Sequence, residues 1–245
     1  FDHGLRAESA REARMVGEFS RRLGIDHHIL NWVGDKPSSR VQELAREARY
    51  DALARLALFN EKSHIALAHH QGDQAETVLL RMAAGTGVAG LGGMNKTAER
   101  GGVTLHRPFL DLSKQRLIDS CRAYGWLYID DPSNEDDRFA RARWRSLTPS
   151  LSAEGLTPER LSALAARARR ADAALEGMVD AWLAAHPPII QGGTFALRVA
   201  DWRSAPAEMR VRLLGRMIAQ TAAGQGGALT PERLERLERL HDEAV

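Results

Sequence analysis

Residues 63–94, SHIALAHHQGDQAETVLLRMAAGTGVAGLGGM, decide which fold the sequence predicts. The apolar run IALA has the length of a buried strand, and two histidines follow where that strand would end. Asp73 then opens a helical pattern of apolar residues, which a glycine-rich stretch ends. Ligands of open parallel α/β sheets bind beyond the carboxyl ends of the strands, so this polar cluster is our candidate site.

Strand and helix patterns alternate on both sides of this stretch. Expected strands lie at 1–3, 25–33, 103–106 and 126–129, and expected helices lie at 7–23, 40–59 and 113–124. Such alternation predicts an α/β fold with a doubly wound, mostly parallel, Rossmann-like sheet.

A different pattern begins after residue 150. A helix rich in Ala, Arg and Leu is expected over 157–185, followed by short strands at 189–190 and 194–199 and helices at 205–220 and 230–243. We therefore predict a catalytic domain over 1–150 and a smaller, mainly helical α+β domain over 151–245. The residues expected on the buried face of the long helix are Leu161, Leu164, Leu175, Met178 and Trp182.

The composition excludes several classes of protein. Hydrophobic residues make up 44% and charged residues 27% of the 245 residues, as in globular rather than disordered proteins. Cys121 is the single cysteine, so a disulfide framework, a thiolate zinc site and a cysteine-bound iron–sulfur cluster within one chain are excluded. No apolar run approaches the roughly 18 residues of a membrane span. No signal peptide is present either, so we expect a cytoplasmic protein without a membrane partner.

Asp73 and Glu76 lie three residues apart at a helix start, which places both carboxylates on one face. They could hold Mg²⁺, chiefly through Asp73, or orient a nucleotide. The same spacing is also that of a helix cap, with Asp73 at the N-cap and Glu76 at the third helical position. The residues alone leave both interpretations open.

Two histidines and several glycines are further candidates in this stretch. Paired histidines such as His69 and His70 are more often scaffolding than metal ligands, and no third ligand has a suitable spacing. The backbone N–H groups around Gly85 and Gly87, and those of the GLGG run at 90–93, could cradle a phosphate. GxxxxGK[ST] does not occur. Residues 85–90, GTGVAG, have the spacing GxGxxG, but they follow an expected helix and not a strand, so no complete nucleotide-phosphate motif is present.

Four arginines crowd the eight positions 138–145, after an acidic turn. Guanidinium groups bind oxyanions as bidentate forks, so a pyrophosphate or an RNA backbone would fit them. The acidic run EDD at 135–137 is an equally suitable partner. The residues therefore indicate a nucleotide- or RNA-handling enzyme without fixing its reaction.

Six motifs appear in order along the first 150 residues, and as a series they resemble one family. They are Asp2-His3-Gly4-Leu5-Arg6, Glu43-x-x-Arg46-x-x-Arg49-Tyr50, Ala68-His69-His70-x-x-Asp73-Gln74-x-Glu76-Thr77, Gly85-Thr86-Gly87-x-x-Gly90-Leu91-x-x-Met94, Arg107-Pro108-Phe109-Leu110 and Asp131-x-Ser133-Asn134-x-Asp136. The series closely resembles the tRNA(Ile)-lysidine synthetases of the N-type ATP pyrophosphatase superfamily. Residues 157–245 are similar to that family's linking helix and first C-terminal, tRNA-contacting domain.

The resemblance implies a two-step reaction. ATP adenylates the 2-carbonyl oxygen of the wobble cytidine in an isoleucine tRNA with a CAU anticodon, and pyrophosphate leaves. The amine of free L-lysine then attacks that carbon and expels AMP, which leaves lysidine. The expected substrates and partners are therefore ATP with Mg²⁺, tRNA(Ile) and lysine, and a homodimer is a further partner left open.

The resemblance also implies roles residue by residue. Asp73 and Glu76 would be the catalytic acidic pair, with Arg141 and Arg145 as basic residues near the substrate phosphates. The ATP-binding residues that it implies are Asp2, His3, Gly4, His69, His70, Gly85 and Gly87. The residues implied on the tRNA or substrate side are Arg46, Arg49, Arg107, Lys114 and Asn134.

Three departures from the family pattern affect these expectations. The superfamily's pyrophosphate loop, Ser-Gly-Gly-x-Asp-Ser, is expected one helix and one strand before Phe1, so the chain as written is expected not to turn over ATP. Gly72 replaces an often acidic residue, and Ala84 replaces a commonly basic one. The alternatives are a tRNA 2-thiolation enzyme of the same superfamily, against which the single cysteine argues, and a non-catalytic RNA-binding module.

Overall fold

The computed structural model describes residues 1–2, 4, 8–34, 41–126, 128, 140–191, 194–221 and 231–243. The helices are α1 (Ser9–Arg22), α2 (Val41–Phe59), α3 (Gln71–Ala83), α4 (Val88–Leu91), α5 (Lys114–Ala123), α6 (Ala140–Ala153), α7 (Pro158–Ala185), α8 (Val199–Ser204), α9 (Ala207–Thr221) and α10 (Pro231–Glu243). The strands are β1 (His64–Ala66), β2 (Thr97–Arg100), β3 (Val103–His106), β4 (Ile189–Gln191) and β5 (Thr194–Ala196). The predicted α/β class is confirmed. Within the described ranges, no helix has both the length and the apolar character needed to cross a bilayer.

The chain forms two compact units. Unit 1 consists of Phe1–Gln71 and Asn95–Ser133, and unit 2 of Gly72–Met94 and Asn134–Val245. Unit 2 therefore contains nearly all of α3 together with the helices of the second half of the chain. The domain boundary near residue 150 stays a prediction, because a compact unit need not coincide with a domain.

Unit 1 is built on a three-stranded sheet in the order β1-β3-β2. β1 and β3 are parallel, with Ile65 opposite Leu105, whereas β2 is antiparallel to β3. α2 covers one face of the sheet through a core of Tyr50, Ala54, Leu67, Val103 and Leu105. Because β1 and β3 are parallel, His69 and Arg107 both follow strands that end at the same edge of the sheet.

The strand predicted over 25–33 is wrong for most of its length. Asn31 forms a single parallel bridge with Asp2, and residues 25–30 have no strand conformation. Ile25 and Val33, which the pattern places toward a core, are 59% and 87% exposed, so the buried neighbour that a half-buried strand needs is missing. The strand predicted at 126–129 includes residues 127 and 129, which lie outside the described residues.

The sequence does not predict β2 because its residues, TAER, show no apolar alternation. Hydrogen bonds to β3 hold it as an edge strand. In unit 2 the predicted hairpin is confirmed, since β4 and β5 pair antiparallel. Its second strand is shorter than expected, because β5 ends at Ala196 and Val199 already begins α8.

The first core of unit 2 joins α3, α6 and α7. Its residues are Ala75, Val78, Leu79, Leu161 and Ala165, with Trp144 and Leu151 packed against them. The face that α7 buries agrees with the prediction at Leu161, which is 2% exposed, and differs elsewhere. Leu164 and Met178 are 37% and 51% exposed, whereas Ala165 is 0% exposed. Small side chains allow neighbouring helices to approach closely, and a search for bulky residues does not find such a face.

Charged side chains join α7 to α9. Asp172, Glu176 and Asp180 recur every four residues on α7, and Arg212 and Arg216 do so on α9, so each set lies on one helix face. Arg212 donates hydrogen bonds to Asp172 at 2.8 Å and to Glu176 at 2.5 Å. Arg216 donates to Glu176 and to Asp180, both at 2.5 Å. We refer to these five side chains as the α7–α9 ion ladder.

Candidate active site

Asp73, Glu76 and Arg145 come together in unit 2. Arg145 Nε donates to Glu76 Oε1, and Arg145 Nη2 donates to Glu76 Oε2 at 3.2 Å and lies 3.5 Å from Asp73 Oδ1. A bidentate guanidinium–carboxylate pair is among the strongest hydrogen-bonded ion pairs and fixes the relative orientation of both groups. The side chains of Asp73 and Glu76 are 14% and 8% exposed and that of Arg145 is 35% exposed, so the cluster is mostly shielded from water.

The helical core of unit 2 explains why Arg145 reaches the two acids. Asp73 and Glu76 share one face of α3, because residues three apart are neighbours on a helix surface. Trp144 precedes Arg145 on α6 and packs against the core that α3 forms with α7. Of the two arginines predicted near the substrate phosphates, Arg145 lies against the two acids, whereas the side chain of Arg141 lies outside the described residues.

The start of α3 overturns the capping interpretation of these acids. α3 begins at Gln71, so Asp73 lies inside the first turn and not at the N-cap. A carboxylate in the first turn still gains about 0.3–1 kcal/mol from the helix dipole. The Asp-x-x-Glu spacing therefore serves to present both acids to Arg145.

Among the described contacts of the cluster, two carboxylates face the guanidinium group of Arg145. Burial alone would lower the pKa of Arg145, but the hydrogen bond to Glu76 and the charges of Glu76 and Asp73 outweigh it and raise that pKa. Arg145 therefore stays protonated. Glu76 accepts two hydrogen bonds from Arg145, whereas the contact of Arg145 with Asp73 is longer, at 3.5 Å. Carboxylates in such a position can bind Mg²⁺ or an ammonium group.

Several N–H groups of the glycine-rich loop, residues 85–94, have backbone partners in α3 or within the loop. Gly85 has a φ of +68°, and the N–H groups of Gly85 and Thr86 donate to the carbonyls of Met82 and Arg81, which forms a Schellman cap on α3. The N–H groups of residues 91–93 donate to the carbonyls of residues 87, 89 and 90. These five N–H groups therefore already have backbone acceptors, and the phosphate cradle around Gly85 and Gly87 stays a prediction. Gly87, the residue before α4, stays a predicted ATP contact.

Gln74 is a buried polar residue that the sequence analysis does not single out. It is 2% exposed, its Nε2 donates to the Met94 carbonyl at 3.0 Å, and its Oε1 accepts from the Met94 N–H at 2.7 Å. Buried amides need such partners, and here they tie the first turn of α3 to the end of the glycine-rich loop. The signal available in the sequence is its position, four residues before Val78 on a stripe that is expected to be apolar.

Among the predicted ATP-binding residues of unit 1, Asp2 has a local structural role. Asp2 Oδ1 accepts hydrogen bonds from the Gly4 N–H at 2.8 Å and from the Ser9 hydroxyl at 2.6 Å, which shapes the turn before α1. His69 and His70 follow β1 and are half-buried. His3 lies outside the described residues. The ATP-binding roles of these residues stay predictions.

The residues predicted on the tRNA or substrate side differ in accessibility. Arg107 is 8% exposed and donates from Nη1 to the Asn95 carbonyl at 2.7 Å, so it fixes the end of β3. The Arg46 guanidinium lies 5.0 Å from the centroid of the Tyr50 ring, an arrangement that favours packing. Arg49 and Lys114 are exposed, and Asn134 lies outside the described residues.

Proteins similar to this chain fall into one family. The PP-loop domain family, ATP_bind_3, matches residues 1–151. The tRNA(Ile)-lysidine synthase of Methylobacterium sp. (strain 4-46) is 50% identical over 241 residues, which cover 97% of this chain and 68% of that protein. The chain belongs to the tRNA(Ile)-lysidine synthase family. The tRNA(Ile)-lysidine synthases of Methylobacterium nodulans and Bradyrhizobium sp. (strain BTAi1) are 48% and 45% identical, and each match covers 97% of this chain and 69% of the relative. The resemblance inferred from the six motifs is confirmed.

A solved structure with a similar fold lies outside the tRNA(Ile)-lysidine synthase family. It is the U34-tRNA thiolase NcsA from Methanococcus maripaludis with its [4Fe-4S] cluster. The TM-score is 0.56 at 15% identity, and the match covers 69% of this chain and 59% of the thiolase. At this identity the likeness shows the fold alone, and it agrees with the predicted α/β class.

The PP-loop domain implies the use of ATP. No group of three or more His, Cys, Asp or Glu residues able to hold a metal occurs in the part of the chain that the structure describes. Mg²⁺ needs no such cage, because one or two carboxylates usually bind it together with nucleotide phosphates and water. Asp73 has the carboxylate that such a site needs, and its role as a magnesium ligand stays a prediction.

Proposed function

We propose that this protein forms lysidine in tRNA(Ile), using ATP, free L-lysine and the wobble cytidine of the CAU anticodon. The observation that carries the proposal is the Asp73–Glu76–Arg145 cluster in a chain of the tRNA(Ile)-lysidine synthase family. A tRNA substrate would place the reaction in the cytoplasm. Membership of the family supports the substrates, and the geometry of the cluster supports the roles of the three residues.

The proposed reaction has two steps with different demands. First, the 2-carbonyl oxygen of the cytidine attacks the α-phosphorus of ATP, an O–P bond forms, and the bond to pyrophosphate breaks. Second, the lysine nitrogen attacks C2, the C–O bond to AMP breaks, and the nitrogen loses a proton. The first step needs charge neutralisation around the phosphates, and the second needs a base near an ammonium group.

The charge distribution of the cluster suits both demands. Glu76 holds the Arg145 guanidinium in one orientation through the two-point pair. Asp73, whose Oδ1 lies 3.5 Å from Arg145 Nη2, would bind the cation of each step and would accept the proton of the lysine ammonium group. A Mg²⁺ ion bound at Asp73 would neutralise phosphate charge during adenylation. Arg145 in turn keeps the two neighbouring carboxylates from repelling each other.

The test is AMP release by the full-length gene product with CAU-anticodon tRNA, ATP and lysine. We expect Asp73→Asn to lower the adenylation rate by at least about 100-fold, because it removes the charge that binds the cation. Its free energy of unfolding, measured by thermal unfolding, should fall by no more than the helix-dipole contribution of about 0.3–1 kcal/mol. Glu159→Gln is the matched control, since Glu159 also lies in the first turn of a helix, α7, and is exposed.

Two outcomes would contradict the proposal at different levels. If the wild-type protein released no AMP with all three substrates present, the proposed function would fail. If Asp73→Asn kept the wild-type rate and only lost stability, the residue would be a structural acid and the proposed site would be wrong. A Glu159→Gln variant as slow as Asp73→Asn would show that the loss comes from helix stability.

A further inference from the structure

Three side chains hold the backbone carbonyls at the end of the glycine-rich loop. Arg81 Nη1 donates to the Gly90 carbonyl at 2.9 Å and to the Gly93 carbonyl at 2.8 Å. Arg169 Nη1 donates to the Gly92 carbonyl and, at 3.3 Å, to the Met94 carbonyl. Gln74 bonds both the carbonyl and the N–H of Met94. We refer to Gln74, Arg81 and Arg169 as the carbonyl clamp.

The backbone of the loop lies very close to the side chains of the clamp at Gly92 and Gly93. A Cβ atom on Gly92 would lie 2.8 Å from Arg169 Cγ, and one on Gly93 would lie 2.8 Å from Gln74 Oε1. Gly93 also has a φ of +63°, which other residues rarely adopt. The glycines at 92 and 93 therefore let the backbone approach the clamp closely, and this explains them better than phosphate binding does.

The clamp connects α7 to the two acids of the candidate active site. Gln74 lies between Asp73 and Glu76 in the first turn of α3, and its amide partners are both on Met94. Arg169 lies on α7 and holds the carbonyls of Gly92 and Met94 in place. Movement of residues 92–94 would remove the partners of a side chain that is 2% exposed, so the first turn of α3 would have to shift with the loop.

We infer that Arg169 is a positioning residue for Asp73 and Glu76, acting through residues 92–94 and Gln74. The inference rests on the proposed function, because it assigns Arg169 to the adenylation site. Arg169 does not need to touch a substrate. Its contribution is to keep the two carboxylates in register with Arg145, since a misplacement of about 1 Å at a reacting centre can cost about 100-fold in rate.

The test compares Arg169→Met, Arg169→Lys and Arg170→Met in the full-length gene product. Arg170 is the matched control, because it is exposed on the same helix and donates to the Ala166 carbonyl of its own helix at 3.5 Å. We expect Arg169→Met to lower the single-turnover adenylation rate by about 10- to 100-fold and to leave the KM for ATP within about twofold. Arg169→Lys should recover part of the rate, since an ammonium group can still reach one carbonyl. Hydrogen exchange in residues 71–77 and 86–94 should become faster in Arg169→Met and stay unchanged in Arg170→Met.

Gly92→Ala perturbs the same contact from the loop side and provides a second test. Because its methyl group would displace Arg169, the double variant Gly92→Ala/Arg169→Met should be no slower than the slower single variant. Additive losses, or an Arg169→Met variant with the wild-type rate and unchanged exchange in residues 71–77, would overturn the inference. An inactive wild-type protein would refute the proposed function, and the hydrogen exchange of the two segments would still decide whether Arg169 positions α3.

Discussion

Replacing Arg212 with methionine should test how much the α7–α9 ion ladder stabilises unit 2. The Arg212 side chain is 7% exposed and also donates to Glu208 on its own helix at 2.8 Å, in addition to its bonds to Asp172 and Glu176. Methionine keeps the length and the apolar stem of the side chain while it removes the charge and the donors. The change therefore leaves three carboxylates around an uncharged side chain.

The expected loss follows from what each carboxylate keeps after the substitution. Glu176 retains its bond to Arg216, and Glu208, which is 52% exposed, can return to water. Asp172, which is 28% exposed, loses a charge-assisted hydrogen bond, a type of contact that contributes about 1.5–3 kcal/mol. Allowing for the weaker loss at the other two carboxylates, we expect the free energy of unfolding to fall by about 2–3 kcal/mol. For a chain of this size that corresponds to a melting temperature lower by about 4–12 °C.

The assay is thermal and denaturant unfolding of Arg212→Met beside Arg216→Met as the control. Arg216 is 30% exposed and its partner Asp180 is 68% exposed, so its replacement should cost about 1 kcal/mol or less. High salt should reduce the effect of Arg216→Met more than that of Arg212→Met, because the Arg212 pairs are better shielded from solvent ions. Equal losses in the two variants, or an unchanged midpoint for Arg212→Met, would refute the reasoning from burial.

Three further predictions concern acid stability and the ends of two helices. Partial burial raises the pKa of Glu176, but the hydrogen bonds and charges of Arg216 and Arg212 outweigh it and hold that pKa below the ordinary value of 4.5. The stabilising contribution of the ionised Glu176 is therefore present above pH 4.5 and is lost as the pH falls through the lowered pKa. When the melting temperature is measured at decreasing pH, it should fall less in Arg216→Met than in wild type, because Glu176 has then already lost one of its two arginine partners. Gly85→Ala should cost about 1–2 kcal/mol in denaturant unfolding, because an alanine is strained at a φ of +68°. Thr157→Ala should lower the free energy of unfolding by about 1 kcal/mol, because the Thr157 side chain accepts a hydrogen bond from the Arg160 N–H at the start of α7. An unchanged denaturation midpoint in Gly85→Ala or Thr157→Ala would contradict the helix end assigned to that residue.

Asp73, Glu76 and the later arginine cluster could be selected from the sequence as site candidates, because charged groups restrict which partners they can bind. The sequence does not predict the contact between the acids and an arginine. The structure adds that Arg145 makes the contact, and that depends on how α6 packs against α3, which no local pattern encodes. The sequence also does not predict that α3 begins at Gln71, because local spacing alone makes Asp73 resemble an N-cap residue.

The elements that local patterns do not predict are those held by partners distant in the sequence. β2 is polar and exists because β3 offers it hydrogen bonds. Gln74 resembles any surface glutamine until its partner, Met94, is known. The buried face of α7 includes Ala165, and a small residue gives a weak hydrophobic signal although it is 0% exposed. Each of these features depends on a contact that the sequence does not specify at short range.

The core that α3 shares with α7 has a consequence for dividing this protein into fragments. The PP-loop domain match ends at residue 151, whereas Leu161 and Ala165 of α7 cover the apolar side of α3. A fragment cut at the end of that match would lose these two side chains and would expose Val78 and Leu79 to solvent. The acidic helix would then lack the packing that aligns it, and the exposed apolar surface would favour aggregation. We therefore expect α3 to need α7 for its packing, and a fragment that is meant to keep the candidate site should retain α7.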